Sequence, residues 1–165
     1  MRTLQNWLDD YGVSHQNKTN KIIHWFCVPV IFFSVLGFLV CVPHDFMLKW
    51  FDGISEGIAS HIHFGTVVVI LAMIFYIRLS IVMAIGILVY CLLCLFGISF
   101  IESAEPFGFS LLTISVVLFV LAWIVQFIGH KIEGAKPSFL EDIQFLLIGP
   151  AWLMSFIFKK IGIIY

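Results

Sequence analysis

Apolar residues fill five stretches of the chain: Ile22–Val42, Ile62–Leu79, Ser80–Ile101, Phe109–Gly129 and Ile143–Phe158. A helix needs about 20 apolar residues to cross the hydrocarbon of a bilayer. The first four runs predict four full spans. The fifth is shorter and is interrupted by Gly149-Pro150, and proline inside a helix kinks or ends it. It predicts a short, kinked or re-entrant segment. The second and third runs are separated only by Tyr76-Ile-Arg-Leu-Ser80, a hairpin so tight that Arg78 must sit at the membrane surface. The pattern therefore predicts an all-α integral membrane helical bundle, a single membrane domain over residues 1–165. Residues 1–21 form a polar segment before the first span, and residues 130–142 a loop after the fourth. The first run starts after that polar segment and reads as a retained span rather than a cleaved leader.

Charge orients the bundle. Placing the N-terminus in the cytoplasm puts six basic residues inside (Arg2, Lys18, Lys21, Arg78, Lys131 and Lys136) and only Lys49 outside. The positive-inside rule selects that orientation. Lys159 and Lys160 stay inside if the fifth segment is re-entrant. Asp45, Asp52, Glu56, Glu102 and Glu105 form an acidic outer face.

Composition narrows the function classes. Of the 165 residues, 61% are hydrophobic and 12% are charged, and net charge is −1; mean hydropathy is +1.07. Such a chain fits neither a soluble enzyme nor a disordered segment. It also lacks the basic field that a nucleic-acid binder needs. Cys27, Cys41, Cys91 and Cys94 all lie inside apolar runs and read as small core residues, including the Cys91-x-x-Cys94 pair. The tryptophans Trp25, Trp50 and Trp152 suit an interfacial belt.

The histidines sort by side. His44, His61 and His63 fall on the outer side, and His61-x-His63 reads as surface histidines more readily than as a metal pair. His15, His24 and His130 fall on the cytoplasmic side. Asn17, Asn20 and His24 share one helical face, as do Gln126, His130 and Glu133. Ionisable groups at membrane depth mark function by default, and two polar stripes in one leaflet predict a shared pocket. His15 reaches that pocket only if the chain bends, and Asn17-Lys-Thr-Asn20 offers N-cap residue types where a new helix would start. Imidazoles gathered with a carboxylate can bind Fe(II), Zn(II) or Cu, and two histidines plus a carboxylate is the ligand set of many non-haem Fe(II) oxygenases.

Two blocks carry a resemblance. Tyr11-x3-His15-x-Asn17-x2-Asn20-x3-His24-x4-Pro29 and Trp123-x2-Gln126-Phe-Ile-Gly-His130-x2-Glu133-x3-Pro137 resemble the motifs of the fungal-type 2-hydroxy-fatty-acid dioxygenase family, small multi-pass membrane proteins of fatty-acid α-oxidation. The resemblance implies an Fe(II)-dependent oxidoreductase that needs no 2-oxoglutarate. It would convert a 2-hydroxy fatty acid and O2 to the acid one carbon shorter plus CO2. His15, His24 and His130 match the family's histidines and are the candidate metal ligands; Glu133 matches its acidic position, as ligand or general base. Asn17, Asn20 and Gln126 are candidates to orient the imidazoles or hold the substrate hydroxyl, and Lys136, with Lys21, to pair the carboxylate. Lys136 reads more readily as a positive-inside anchor, and Tyr11 equally as a catalytic group or an interfacial aromatic. A bis-histidine haem protein using His24 and His130 is the alternative, as is a non-enzymatic lipid-binding or scaffold protein. A bacterial inner membrane is the favoured location, or the endoplasmic reticulum membrane in a eukaryote.

Overall fold

A computed structural model describes residues 2–49, 53, 55–59, 61–136 and 144–165, and among these the regular structure is all helical. Trp50, Asp52, Pro137 and Ile143, singled out above, lie outside the described residues.

The polar N-terminal segment contains an amphipathic helix, α1 (Leu4–Val13). Thr3 starts it with a reciprocal cap: Thr3 Oγ1 accepts from the Asn6 amide, and Asn6 Oδ1 accepts from the Thr3 amide. Leu4, Trp7, Leu8 and Tyr11 follow at i, i+3, i+4 and i+7 and are buried. Averaged hydropathy hides this stripe among its polar neighbours. The chain then turns, and Asn17 caps α2 (Lys18–Cys41), its Oδ1 accepting from the Thr19 amide at 2.8 Å.

Two short helices follow, α3 (Asp45–Leu48) and α4 (Glu56–Ala59), then α5 (Phe64–Leu79), α6 (Ile81–Ala104), a 3-10 turn at Pro106–Gly108, α7 (Leu111–Glu133) and α8 (Phe145–Ile161). Ser80 closes α5 and opens α6: its amide donates to Tyr76 O at 2.8 Å while its hydroxyl accepts from the Met83 amide. The tight hairpin expected at this point is present.

The number of spans differs from the sequence expectation. Among the described residues, three helices are long and apolar enough to cross a membrane, namely α2, α6 and α7. The second run falls short because His63 caps its helix and Ser80 ends it, leaving 16 residues. At 1.5 Å per residue that is about 24 Å, against a hydrocarbon core of about 30 Å. The fifth run is not a re-entrant hairpin. It is a single 17-residue helix that continues through Pro150. The proline removes only one intrahelical donor, and the Tyr76 hydroxyl donates to the nearby Leu147 carbonyl. Residues 148–153 of α8 are buried in succession, so this half of the helix is enclosed by its neighbours rather than laid against them.

The long helices α2 and α7 pack along their length. Small residues allow the approach: a Cβ on Gly37 would strike the Ser115 hydroxyl, and one on Gly129 would strike Asn20 Oδ1. From the other side, Tyr90 of α6 donates to the Pro29 carbonyl in α2 at 2.9 Å. Cys91 and Cys94 pack in the core with Met83, Ile87 and Ile98. Because α2 begins where α7 ends, the polar stripes of both helices meet at one end of the bundle.

Candidate metal centre

The bend between α1 and α2 brings His15 onto His24 and His130. The three rings are 1%, 0% and 4% exposed. Their centroids lie 4.2 Å apart for His15–His24, 5.1 Å for His15–His130 and 4.9 Å for His24–His130. One ring nitrogen from each can be chosen so that all three lie within 4.8 Å of one another.

Hydrogen bonds select those nitrogens. His15 Nδ1 lies 2.6 Å from Tyr11 O, and His24 Nδ1 lies 2.9 Å from Asn20 O. A carbonyl only accepts, so each Nδ1 carries the proton and each Nε2 keeps its lone pair. A backbone carbonyl behind the ring is how metal-ligating histidines are usually oriented. His15 Nε2 and His130 Nδ1 are buried without a hydrogen-bond partner, while His24 Nε2 accepts from the Gln126 amide at 3.1 Å. Burial, then the neighbouring His24 ring, pushes His15 down to about 3, so it stays a neutral donor at physiological pH. Buried polar atoms without partners are rare in folded proteins. Three buried imidazoles converging on one point form a donor set suited to a transition metal.

The carboxylate is used differently. Glu133 accepts from the Gln16 amide at 2.7 Å, the Asn17 amide at 2.9 Å and Asn20 Nδ2 at 3.0 Å. Asn20 Nδ2 also reaches Ser14 O at 3.3 Å. These bonds hold the α1–α2 joint against the end of α7, which is what places His15 beside the other two rings. Tyr11 backs the cluster, stacked on His15 with centroids 4.2 Å apart and planes 9° from parallel.

An apolar cavity of about 340 Å³ opens from the cluster into the bundle. Tyr11, His15, Gln126 and His130 line its polar end. Its remaining walls come mainly from α2, α5 and the start of α8. Three wall residues also face outward: Val35 is 38% exposed, Val68 37% and Leu146 43%. The cavity thus has a side opening on the apolar flank of the bundle.

The family model described as 2-hydroxy-palmitic acid dioxygenase Mpo1-like matches residues 1–161. The chain belongs to the Mpo1-like family. A relative in Saccharomyces cerevisiae, 2-hydroxy-palmitic acid dioxygenase MPO1, is 30% identical over 159 residues, covering 94% of this chain and 80% of the yeast protein. No solved structure matches.

In this Mpo1-like chain the residues singled out in the sequence separate into three groups. His15, His130 and Gln126 line the head of the cavity, and His24 packs against the two other rings. Tyr11, Asn17, Asn20 and Glu133 surround them and fix their positions. Lys136 is exposed and lies off the cavity wall, and Lys21 is half-buried in the first turn of α2. Trp152, expected in an interfacial belt, is instead 5% exposed, with its ring 5.3 Å from His15. Gly129 lies within the second motif but carries no chemistry that marks it in the sequence; its role lies in what a side chain there would strike. His63, read as a surface histidine, is 7% exposed and caps α5, its Nδ1 accepting from the Thr66 amide at 3.2 Å. His44 lies beside it, with ring centroids 6.2 Å apart.

Proposed function

We propose that the chain is a membrane dioxygenase that holds Fe(II) on His15, His24 and His130. It converts a 2-hydroxy fatty acid and O2 to the fatty acid one carbon shorter, CO2 and water. The observation that carries this reading is the cluster of three buried imidazoles, two of which, His15 and His130, line the head of an apolar cavity. The relative's printed name supplies the substrate class.

The donor set fits iron: His15 would offer Nε2 and His130 Nδ1, and His24 Nε2 would exchange its Gln126 hydrogen bond for the metal. Fe(II) bound there would supply the one-electron chemistry that allows O2 to react with an organic substrate. The chain's own residues do the rest. The cavity takes the acyl chain out of water and directs its carboxyl end to the histidines. Gln126 Oε1, buried at the cavity head without a partner, accepts a hydrogen bond from the 2-hydroxyl group. An acid lacking that hydroxyl would leave the amide oxygen unsatisfied, and sites built this way discriminate strongly against the deoxy analogue. Tyr11 and Trp152 pack against His15, with ring centroids 4.2 Å and 5.3 Å away. Glu133 acts as a positioning residue, since its oxygens are engaged by Gln16, Asn17 and Asn20.

The haem alternative fits less well. A porphyrin must stand between its two axial imidazoles, whereas His24 and His130 touch each other and both touch His15.

The test is elemental analysis of detergent-purified protein beside His24→Ala and His130→Ala, followed by O2 uptake with 2-hydroxypalmitate. Stoichiometric iron that both substitutions remove, with pentadecanoate and CO2 as products, supports the reading. No metal after anaerobic Fe(II) loading would overturn it.

A further inference from the structure

The cavity has a direction. At one end stand His15, Gln126 and His130. Along α2 its wall continues through Val28, Ile31, Phe32 and Val35 to Leu36. From His24 to Leu36 is three turns and more, about 18 Å at 1.5 Å per residue. The far end belongs to α5. The Tyr76 end of that helix is tied to Leu147, close to the metal-binding end of the bundle, whereas its first residues follow His63, which lies beside His44 at the opposite end of α2. Val69 therefore stands deep in the cavity and Ala72 about one turn nearer the histidines, and both are closed off where the side opening is not: Val69 is 6% exposed, Ala72 5% and Leu36 2%.

We propose that the cavity is a length gauge for an unbranched acyl chain, with Val69 and Ala72 of α5, opposite Leu36 of α2, forming the floor that the methyl end meets. This rests on the reading that a 2-hydroxy fatty acid is the substrate, and it adds which residues decide the chain length accepted. Among the described residues no polar side chain lines the floor, so nothing described there rewards a second functional group. Ala72 is the smallest side chain at the floor, so added volume at that position shortens the cavity most.

Binding tests the gauge without turnover. Full-length detergent-purified protein is loaded with a fluorescent long-chain acid (cis-parinaric acid), which is displaced by saturated 2-hydroxy acids from octanoate to icosanoate. In the wild type, affinity should tighten about fourfold per added methylene and then level off once the cavity is full. Ala72→Phe should bring the plateau to shorter chains with 2-hydroxyoctanoate affinity unchanged, and Val69→Ala should move it to longer ones. If Ala72→Phe fails to fold, Val69→Ala carries the test alone. A plateau unmoved by the substitutions, a uniform loss at every length, or no displacement by any acid would overturn the gauge. A shifting plateau in a protein that neither holds iron nor consumes O2 would leave the gauge standing and sink the proposed reaction. Turnover of 2-hydroxypalmitate with an unmoved plateau would do the reverse.

Discussion

Asn20 Nδ2 donates to Glu133 Oε2 at 3.0 Å, joining the first turn of α2 to the last turn of α7 across 113 positions of chain. With the Gln16 and Asn17 amides on the same carboxylate, this contact locks the corner from which His15 projects. Hydrogen bonds to a charged group contribute about 1.5–3 kcal/mol each. Glu133→Ala should destabilise the fold by about 2–3 kcal/mol and weaken metal binding about 10–100-fold. Glu133→Gln, which keeps an acceptor, should do less of both. Thermal unfolding paired with iron titration reads the two effects. A general base would give the opposite pattern, with intact iron affinity and stability but collapsed turnover.

The approach of α7 to α2 yields a second test. A methyl group on Gly129 would strike Asn20 Oδ1 and crowd the Ile23 side chain at 3.2 Å. Over-packing of this kind costs about 1–3 kcal/mol. Gly129→Ala should lower the unfolding midpoint and weaken iron binding together, because the helix it displaces carries His130. A stable variant that binds iron normally would show that the seam can relax without moving the site.

A bound metal would link α1, α2 and α7, so its removal should be visible in stability. A ligand held only by the folded state stabilises it by about 2.7 kcal/mol at a hundredfold excess over its Kd. Chelation should lower the melting temperature, and Fe(II) should restore it in the wild type but not in His24→Ala. Equal midpoints with and without chelator would count against a metal ligated by all three histidines.

His63 predicts a pH effect at the other end of the molecule. Its buried ring accepts from the Thr66 amide, and burial, followed by the nearby His44 and His61, lowers its pKa below the usual histidine value. The folded state thus resists a proton that the unfolded chain accepts. Stability from this group is full above the unfolded value of about 6.5 and declines as pH falls below it. His63→Asn, which retains a cap acceptor but does not titrate, should flatten the decline while costing less than the roughly 1 kcal/mol of losing a cap. An unchanged pH profile in that variant would assign the effect to other groups.

Much of the candidate site can be read in the sequence because helical spacing is a strong signal. Asn17, Asn20 and His24 on one helix, and Gln126, His130 and Glu133 on another, already lie on single faces, and the cap chemistry of Asn17 marks the bend that His15 requires. What Glu133 would hold is not legible, because two of its three partners are backbone amides, which leave no trace in residue identity. Trp152 resembles any aromatic in a greasy chain until its burial is known. The number of spans is misjudged for a related reason. Hydropathy counts Ile62–Leu79 as continuous, but His63 and Ser80 act through hydrogen bonds to backbone amides, and those bonds set the helix length.

The side opening beside Val35, Val68 and Leu146 has a kinetic consequence. A substrate that arrives through the flank of the bundle is sampled from the lipid around it, not from the aqueous phase. Its effective concentration is then its mole fraction among the lipids. Adding vesicles that carry substrate at the same mole fraction should leave the rate unchanged while each protein remains in its own membrane. Adding inert lipid to that same membrane should slow the enzyme in proportion, as surface dilution.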